Sequence, residues 1–505
     1  MAARREIGRM LSRGGDPPVQ EDSYKNRHSV HFERQMERKQ KVVMAVLMLG
    51  TLMGSLDSTI VILAFPTIAE ALHSDLITTL WVILIYLLVV AVTTTQLGRI
   101  GDIHGRSRMF NTGFGVFTLG SLFCGLSPSI WWLIASRAVQ ALGGAVMQAN
   151  SGAIVADTFP PNQRGAAFGY ISLGWTSGAM LGIVLGGVIT TFVGWEYIFF
   201  INLPIGIAAT VLGLRYIRDE ARVREDLDIP GMILLGTALS LISFGAIDFA
   251  ARDLAPSNTG SLVAGVIALG LFFAYELRAP RPIMDFSALG SRILRYSILA
   301  AFFLSLGYLA VVFLITMYLQ GIRALSPLDA ALLLIPGYVA GSFLSPVMGR
   351  FSDRYGARYI ATAGAGVIIL ATLLYLSLRI DTPLWFVLVA SGVSGIGTSM
   401  FFPANNSAVM AHAPQGTYGG ISGLLRTMQN IGVLGSFVIT ITVAAASIPR
   451  EVAFQVFIGT TSLKGGVSQA FIQGIDAALW ISLVFISIAG VLSWLRGEET
   501  RGPMR

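Results

Sequence analysis

Long apolar runs separated by short polar segments fill the chain between residues 42 and 495. Most of these runs hold about 20 residues, the length at which an α-helix crosses the hydrocarbon core of a bilayer. The pattern therefore predicts an all-α polytopic membrane protein with fourteen transmembrane helices. The predicted spans are residues 42–64, 78–97, 109–126, 130–151, 166–189, 197–215, 230–250, 261–277, 297–319, 328–348, 358–378, 384–403, 418–446 and 478–495.

Basic residues are divided unequally between the polar segments. Of the 35 Lys and Arg residues, 28 lie on the side of the N-terminus, 5 lie on the opposite side, and Arg137 and Arg426 lie inside spans. Lys and Arg concentrate on the cytoplasmic side of membrane proteins. We therefore expect a multi-pass protein of the inner (cytoplasmic) cell membrane, with both termini in the cytoplasm and an even number of spans.

A short motif occurs twice and divides the chain into halves. Residues 98–106, after the second span, and residues 349–358, after the tenth, both contain G-R-x-x-D-x-x-G, and the copies start 251 residues apart. Two six-span halves need only roughly 180–200 residues between equivalent points, at roughly 30 for a span and its loop. The excess corresponds to one inserted helical hairpin, residues 230–277. Parallel repeats of this kind are typical of secondary transporters.

The expected domain organisation follows from this repeat. It consists of a cytoplasmic basic tail at residues 1–41, an N-terminal six-helix bundle at 42–216, a linker with two extra transmembrane helices at 217–296, a C-terminal six-helix bundle at 297–495 with an outer loop at 447–477, and a cytoplasmic tail at 496–505.

The composition excludes several functional classes. Hydrophobic residues make up 54% of the chain and charged residues 12%, with a mean hydropathy of +0.69, whereas soluble domains hold about 25% charged residues. The net charge of +7 is explained by the membrane orientation, so no nucleic-acid partner is expected. The lone Cys124 and the lack of a close His/Glu pair argue against a disulfide framework and a metal site. No phosphate-binding G-x-x-x-x-G-K-[ST] motif and no catalytic constellation occur, so we expect neither an ATP-driven pump nor an enzyme, and no cofactor.

Two charges inside the N-terminal spans are candidates for proton coupling. Asp57 is the one acid well inside a predicted span, a depth at which ionisable groups usually mark an ion or substrate path. Because desolvation favours the neutral carboxyl, we predict that Asp57 binds a proton; a purely structural polar contact is the alternative. Arg137 in span four needs a partner, for which Asp57, a backbone carbonyl and Gln140 are candidates.

The repeated motif is predicted to form a cytoplasmic gate. Asp102 can accept hydrogen bonds at a helix N-terminus or pair with arginine, and Asp157 is expected beside Arg106 or Arg108. Such contacts would hold the cytoplasmic side closed; basic loops that only set topology are the alternative, and we expect Asp353, in the second copy, to be a weaker relic. The predicted gate residues are Gly98, Asp102, Gly105, Arg106, Asp157 and Asp353.

Span five carries a ladder of glycines along one helix face. Small residues allow close approach of helices in a membrane, and we expect this face to pack against a span of the C-terminal bundle. The ladder consists of Gly174, Gly178, Gly182, Gly186 and Gly187.

Aromatic and polar residues in several spans are candidates for an adaptable substrate cavity. Packing against lipid or neighbouring helices is the alternative for each aromatic side chain. For Arg426, the alternatives are an anion or substrate contact and snorkelling toward the cytoplasmic interface. The candidates are Tyr86, Gln140, Trp175, Tyr308, Phe313, Phe402, Arg426 and Gln429.

Five motifs, in order and spacing, resemble the fourteen-span drug–proton antiporters of the major facilitator superfamily. Three features depart from the family pattern: Ala141 replaces a glycine, Ala179 and Ile183 replace prolines, and the thirteenth span carries Arg426 where an acid is common. The motifs are L-D-S-T-I-V at 56–61, G-R-x-x-D-x-x-G-R at 98–106, R-A-V-Q-A-L-G-G at 137–144, the glycine ladder, and W-E-Y-I-F-F-I-N-L-P at 195–204.

The resemblance implies the major facilitator fold and a function in multidrug efflux. The expected protein is a proton-coupled antiporter that exports small amphipathic, cationic or lipophilic compounds by rocker-switch alternating access, with Asp57 as the protonation site and Arg137 tuning proton release. Its expected partners are these substrates, protons and membrane lipids, and it is expected to be a monomer. The alternatives are proton-coupled export of a physiological lipid, amino acid or metabolite, and a non-transporting receptor or scaffold with a transporter-like fold.

Overall fold

The computed structural model describes residues 19–216, 227–251, 256–279, 282, 290–414, 417–447 and 466–497, and these ranges contain helices and no strands. In chain order the helices are α1 (Val19–Ala71), α2 (Leu76–His104), α3 (Arg106–Gly125), α4 (Ile130–Thr158), α5 (Arg164–Phe192), α6 (Tyr197–Phe200), α7 (Asn202–Tyr216), α8 (Ile229–Ala251), α9 (Pro256–Glu276), α10 (Arg292–Met317), α11 (Pro327–Tyr355), α12 (Ala357–Leu376), α13 (Leu384–His412), α14 (Tyr418–Ser447) and α15 (Gly466–Leu495).

Every predicted span coincides with helix in the described part of the chain, the sixth span with the short α6 followed by α7. Twelve of the spans are long and apolar enough to cross a membrane. Helix α3 does not reach this hydropathy because it begins with Arg106 and Arg108, and the part of α14 whose side chains are described contains Arg426, Gln429 and Asn430. The all-helical fold is thus confirmed, whereas the count of fourteen membrane spans stays a prediction.

Two expected boundaries are moved by the structure. Helix α1 begins at Val19, so the described part of the expected N-terminal tail continues the helix of the first span. Helix α15 begins at Gly466, so residues 466–477, expected in an outer loop, belong to a helix. The reason lies in burial: Phe471 and Ile475 are buried in the apolar core of the C-terminal half. Residues 448–465, the rest of that expected loop, lie outside the described residues, as do 1–18, 217–226, 283–289 and 498–505.

Equivalent glycines make the turn after each copy of the repeated motif. Gly105 joins α2 to α3 at a φ of 107°, and Gly356 joins α11 to α12 at a φ of 104°. Backbone angles in this region are open to glycine and strained for other residues. The repeat therefore specifies the same sharp helix–helix turn in both halves.

Several helix pairs join the two halves in the described part of the chain. The largest are α2 of the N-terminal half against α14 of the C-terminal half, and α5 against α11; α5 also contacts α13, and α4 contacts α14. Helix α8 of the inserted hairpin packs against both α2 and α14, and the backbone N–H of Asp228 donates to Gln96 of α2 over 3.3 Å. A motion of one half against the other must therefore change the contacts of α2 with α14 and of α5 with α11.

Candidate functional site

Asp57 lies in a fully buried polar cluster between three helices of the N-terminal half. Its side chain in α1 is 0% exposed and pairs with Arg137 of α4 at 2.5 Å. Its other carboxylate oxygen accepts hydrogen bonds from Gln140 of α4 at 2.8 Å and from Asn202, at the start of α7, at 3.0 Å. A buried ion pair is tolerated when further hydrogen bonds satisfy its oxygens, and this carboxylate has them.

Arg137 contacts all three of its predicted partners at once. Beyond Asp57, its Nε donates to the carbonyl of Val82 at 3.1 Å and its Nη1 donates to Gln140 at 2.6 Å. The guanidinium also lies 4.4 Å from the centroid of the Tyr86 ring, a distance typical of cation–π attraction. Tyr86 and Gln140, candidates for the substrate cavity, therefore lie inside this charge cluster and are buried.

Two members of the cluster were not predicted as site residues. Asn202 binds Asp57, and Ser121 of α3 accepts a hydrogen bond from Gln140 at 2.7 Å. Asn202 follows the apolar stretch Ile198–Ile201 and precedes Leu203 and Pro204. A lone amide in an apolar run was the available signal, because buried polar groups require partners.

Asp102 joins the two halves at the end of the helices that the distribution of basic residues predicts to be cytoplasmic. Its carboxylate accepts hydrogen bonds from the backbone N–H groups of Gly419 at 3.0 Å and Gly420 at 2.8 Å, at the N-terminus of α14. It also pairs with Arg106 at 2.6 Å, and Arg106 in turn pairs with Asp157 at 2.6 Å. Burial disfavours the charge on Arg106, but the two carboxylates outweigh burial and raise the pKa of Arg106, so this residue stays cationic.

The second copy of the motif makes the same contact, and the expectation that it is a weaker relic is wrong. Asp353 of α11 accepts hydrogen bonds from the backbone N–H groups of Gly165 at 2.7 Å and Ala166 at 2.9 Å, at the N-terminus of α5. Each aspartate thus binds the positive end of a helix from the opposite half. The two copies are therefore equivalent in their contact with the opposite half. The motif letters alone do not reveal this, because the partner helix lies far away in the sequence.

The motif glycines allow this contact between halves. A Cβ on Gly98 would lie 2.8 Å from the carbonyl carbon of Gly419, and a Cβ on Gly349 would lie 2.6 Å from that of Gly165. Side chains do not fit at such distances. The C-terminal end of α2 is therefore in backbone contact with the N-terminal end of α14, and the C-terminal end of α11 with the N-terminal end of α5.

Four of the five ladder glycines pack against α1 of the N-terminal half, so the expected packing against the C-terminal bundle is wrong for them and holds for Gly187 alone among the five. A Cβ on Gly174 would lie 2.9 Å from the carbonyl oxygen of Met48, and one on Gly182 would lie 2.6 Å from that of Leu56. Helix α5 does contact the C-terminal half, but with another face: Thr176 hydrogen-bonds Ser342 of α11 at 2.7 Å. Gly174, Gly178, Gly182 and Gly186 face α1 and bring α5 close to the helix that carries Asp57, whereas Gly187 faces Leu328 of α11.

We expect Gly178→Ala to destabilise the protein and Gly187→Ala to leave its stability unchanged. A Cβ on Gly178 would lie 3.0 Å from both the Cα and the carbonyl carbon of Leu52, and closer still to its carbonyl oxygen. A Cβ on Gly187 would lie 3.7 Å from a Leu328 methyl group. Overpacking of this kind costs about 1–3 kcal/mol. Apparent Tm measured by tryptophan fluorescence in detergent is the readout, and equal Tm values for the two variants would contradict the packing of α5 on α1.

The remaining cavity candidates do not form one cluster. Trp175 is 43% exposed on α5, and Tyr308 and Phe402 are half-buried against the C-terminal core. Phe313 of α10 is half-buried against the apolar cluster of the N-terminal half that includes Leu56. Arg426 and Gln429 lie together on α14, with a hydrogen bond of 3.1 Å between them.

Comparisons with known proteins agree with the helical architecture. The family profile of the Major Facilitator Superfamily matches residues 47–436. The riboflavin transporter RibZ of Clostridioides difficile is 32% identical over 78% of this chain and 86% of its own length. The multidrug resistance protein Stp of Mycobacterium tuberculosis is 27% identical over 91% of this chain and 92% of its own length.

A solved structure shares the fold. The human organic anion transporter MFSD10 superposes with a TM-score of 0.60 over 88% of this chain and 99% of its own chain, at 15% sequence identity. Identity this low bears on the fold alone.

Proposed function

The chain belongs to the major facilitator superfamily, and on that premise we propose that it is a proton-coupled antiporter of the inner membrane. It exports small lipophilic, amphipathic compounds by rocker-switch alternating access, in a multidrug efflux role. It works as a monomer with cytoplasmic termini, and it draws on the proton gradient without a cofactor.

The observation that carries the proposal is the buried pair of Asp57 and Arg137. Protonation of Asp57 removes the negative charge and leaves the Arg137 guanidinium without a counterion. A buried unpaired charge costs several kcal/mol, so the cluster must rearrange. Because the cluster joins α1, α4 and α7, its rearrangement alters how these helices pack.

A continuous set of contacts supports coupling between this cluster and the cytoplasmic gate. Thr59, two residues after Asp57, donates a hydrogen bond to the carbonyl of Ala179 on α5 at 3.2 Å. The N-terminus of α5 is bound by Asp353 of the opposite half. A shift of α1 on protonation would therefore move α5. That movement would strengthen or weaken the contact between Asp353 and α5, which closes the cytoplasmic side.

A lipophilic rather than a cationic substrate is favoured by the state of Asp57. Arg137 already neutralises its charge, and neither side chain is exposed, so Asp57 offers no free charge to a cation. The similarity to a multidrug resistance protein over nine-tenths of the chain supports export of lipophilic compounds.

Export of a physiological metabolite is the second candidate function. The similarity to a riboflavin transporter at 32% identity favours it. An overexpression strain and a deletion strain separate the two candidate functions. Lower drug sensitivity in the overexpression strain supports multidrug efflux. Accumulation of a cellular metabolite in the deletion strain supports export of that metabolite.

Proteoliposomes with an imposed pH gradient test proton coupling. With the cytoplasmic side facing the bath and an acidic lumen, we expect a fluorescent lipophilic compound to accumulate in the lumen and the lumen to lose protons. Accumulation should stop when an ionophore pair collapses the pH and voltage differences. Uphill accumulation that persists after this collapse would contradict a proton-driven mechanism.

A further inference from the structure

Helix α14 carries an arginine, Arg426, that has no acidic partner within the described part of the chain. Arg426 lies eight residues after Tyr418, where α14 begins, which places it about 12 Å along the helix. Among the residues that the structure describes, Arg106 and Arg137 lie within 4.0 Å of carboxylates, whereas Arg426 does not. A charge of this kind is costly in a membrane unless something compensates it.

The side chain of Arg426 does not snorkel toward the cytoplasm. Its Nη1 donates to Oε1 of Gln429 over 3.1 Å, and Gln429 lies one turn farther from the cytoplasmic end of α14. Of the two sequence-based interpretations of Arg426, this geometry leaves the anion or substrate contact.

Gln429 adds a second unused donor beside the guanidinium. It is 7% exposed, and within the described part of the chain its Nε2 has no hydrogen-bond acceptor. Guanidinium and amide NH₂ groups donate only, and the amide oxygen of Gln429 is already bound by Arg426. Buried donors of this kind require acceptors, and an oxygen-rich group, above all an anionic one, supplies them.

The two donors lie between the halves of the protein. Asn430, one turn from Arg426 on the same face of α14, donates to Gln148 of α4 over 3.3 Å. On another face, Thr427 accepts a hydrogen bond from Thr95 of α2 at 2.8 Å. Arg426 is partly buried, so it keeps surface that a ligand can reach. In carriers that alternate access, substrate binds at this interface.

We propose that Arg426 and Gln429 bind the carboxylate group of an amphipathic substrate. The guanidinium takes the carboxylate in a charge-assisted contact, and the Gln429 amide donates a further hydrogen bond. The substrate class is therefore amphipathic carboxylates, and lipophilic cations are disfavoured by the uncompensated positive charge. That the bound compound is exported rests on the proposed function; the binding site itself does not.

Three matched fluorescent probes test the site in the full-length chain. They are dansylaminoundecanoic acid, its methyl ester, and the trimethylammonium compound with the same chain, titrated in zwitterionic nanodiscs near pH 8, where a carboxyl is ionised. We expect the acid to bind at least tenfold more tightly than either analogue. The ester and acid differ only at the headgroup, so equal affinities in the wild-type protein would overturn the proposal without any variant.

Variants assign the preference to these residues. We expect Arg426→Gln to remove the tenfold preference for the acid while ester binding is unchanged, and Arg426→Lys to retain part of it. Arg295→Gln, an exposed arginine of α10, should leave the preference intact. If the preference for the acid over the ester survives Arg426→Gln, the proposal is overturned. It is also overturned if the acid no longer binds in nanodiscs of anionic lipid, because Arg426 and Gln429 would then bind a lipid headgroup.

The outcomes also separate this proposal from the proposed function. Binding is measured at equilibrium without a pH gradient. If acid binding depends on Arg426 but no pH-driven transport occurs, the site stands and the antiporter proposal fails. If pH-driven transport occurs and Arg426→Gln transports the acid, the ester and the ammonium compound as the wild type does, the antiporter proposal stands and the carboxylate site fails.

Discussion

Asp57→Asn is expected to lower pH-driven transport by at least about 100-fold, which corresponds to roughly 2.7 kcal/mol of lost coupling. Asparagine neither takes up nor releases a proton, so the charge on this site no longer changes during the cycle. The substitution also leaves Arg137 without its counterion in a buried cluster, and breaking a buried pair costs about 3–5 kcal/mol. A fall in stability is therefore expected together with the loss of transport.

A double variant separates these two effects. Asp57→Asn combined with Arg137→Gln removes both charges, and we expect it to recover much of the wild-type Tm while transport stays lost. Glu70→Gln, an exposed acid of the same helix, is the matched control and should transport normally. The measurement is uptake of a fluorescent compound into proteoliposomes with an acidic lumen, normalised to folded protein. Wild-type transport by Asp57→Asn would show that another group carries the proton.

Asp102→Ala combined with Asp353→Ala is expected to open the cytoplasmic side. The double substitution leaves four backbone N–H groups, two at the N-terminus of α14 and two at that of α5, without their acceptors. A buried group that loses its partner costs about 1–3 kcal/mol. Even one such loss in each half shifts the equilibrium toward the open state by about 2–6 kcal/mol, or roughly 30-fold to 10⁴-fold.

Distances between spin labels report this opening. Labels at His104, at the end of α2, and at Tyr355, at the end of α11, lie on exposed positions of opposite halves. We expect the distribution of label-to-label distances to broaden and shift to longer distances in the double variant. Each single variant removes about half of the energy that the two aspartates contribute to the closed state, so its shift should be smaller. Asp329→Ala is the control, because Asp329 hydrogen-bonds Ser326 within its own helix turn at the far end of α11. Unchanged distances in the double variant would show that these aspartates do not hold the halves together.

The Asp57 site was partly predictable from residue type alone. A carboxylate in an apolar run must be compensated, and so must an arginine in a neighbouring span, so both Asp57 and Arg137 stand out in the sequence. That Arg137 reaches all three of its candidate partners depends on how α4 is rotated against α1 and α2. Asn202 enters the cluster only because the break between α6 and α7 turns its amide toward Asp57.

The gate and the glycine ladder show where local reasoning ends. The motif copies were recognisable as repeats, but the equivalence of Asp353 to Asp102 follows from contacts with helices far away in the chain. The ladder was recognisable as a packing face, but four of its five glycines face α1 and Gly187 alone among the five faces a helix of the C-terminal half. Spacing along one helix specifies which residues share a face, and it carries no information about the partner of that face.

By itself, the sequence determined the helical segments and the exceptional charges within them, and it predicts their orientation. These are properties of single runs, because the transfer of a helix into a bilayer depends on the length and polarity of that run. The tertiary structure alone decided that Asp57 is already paired, that both gate aspartates cross between halves, and that Arg426 lacks an acidic partner among the described residues. The physical reason is that such contacts depend on how distant helices are rotated and placed against each other, and hydropathy does not encode these relations.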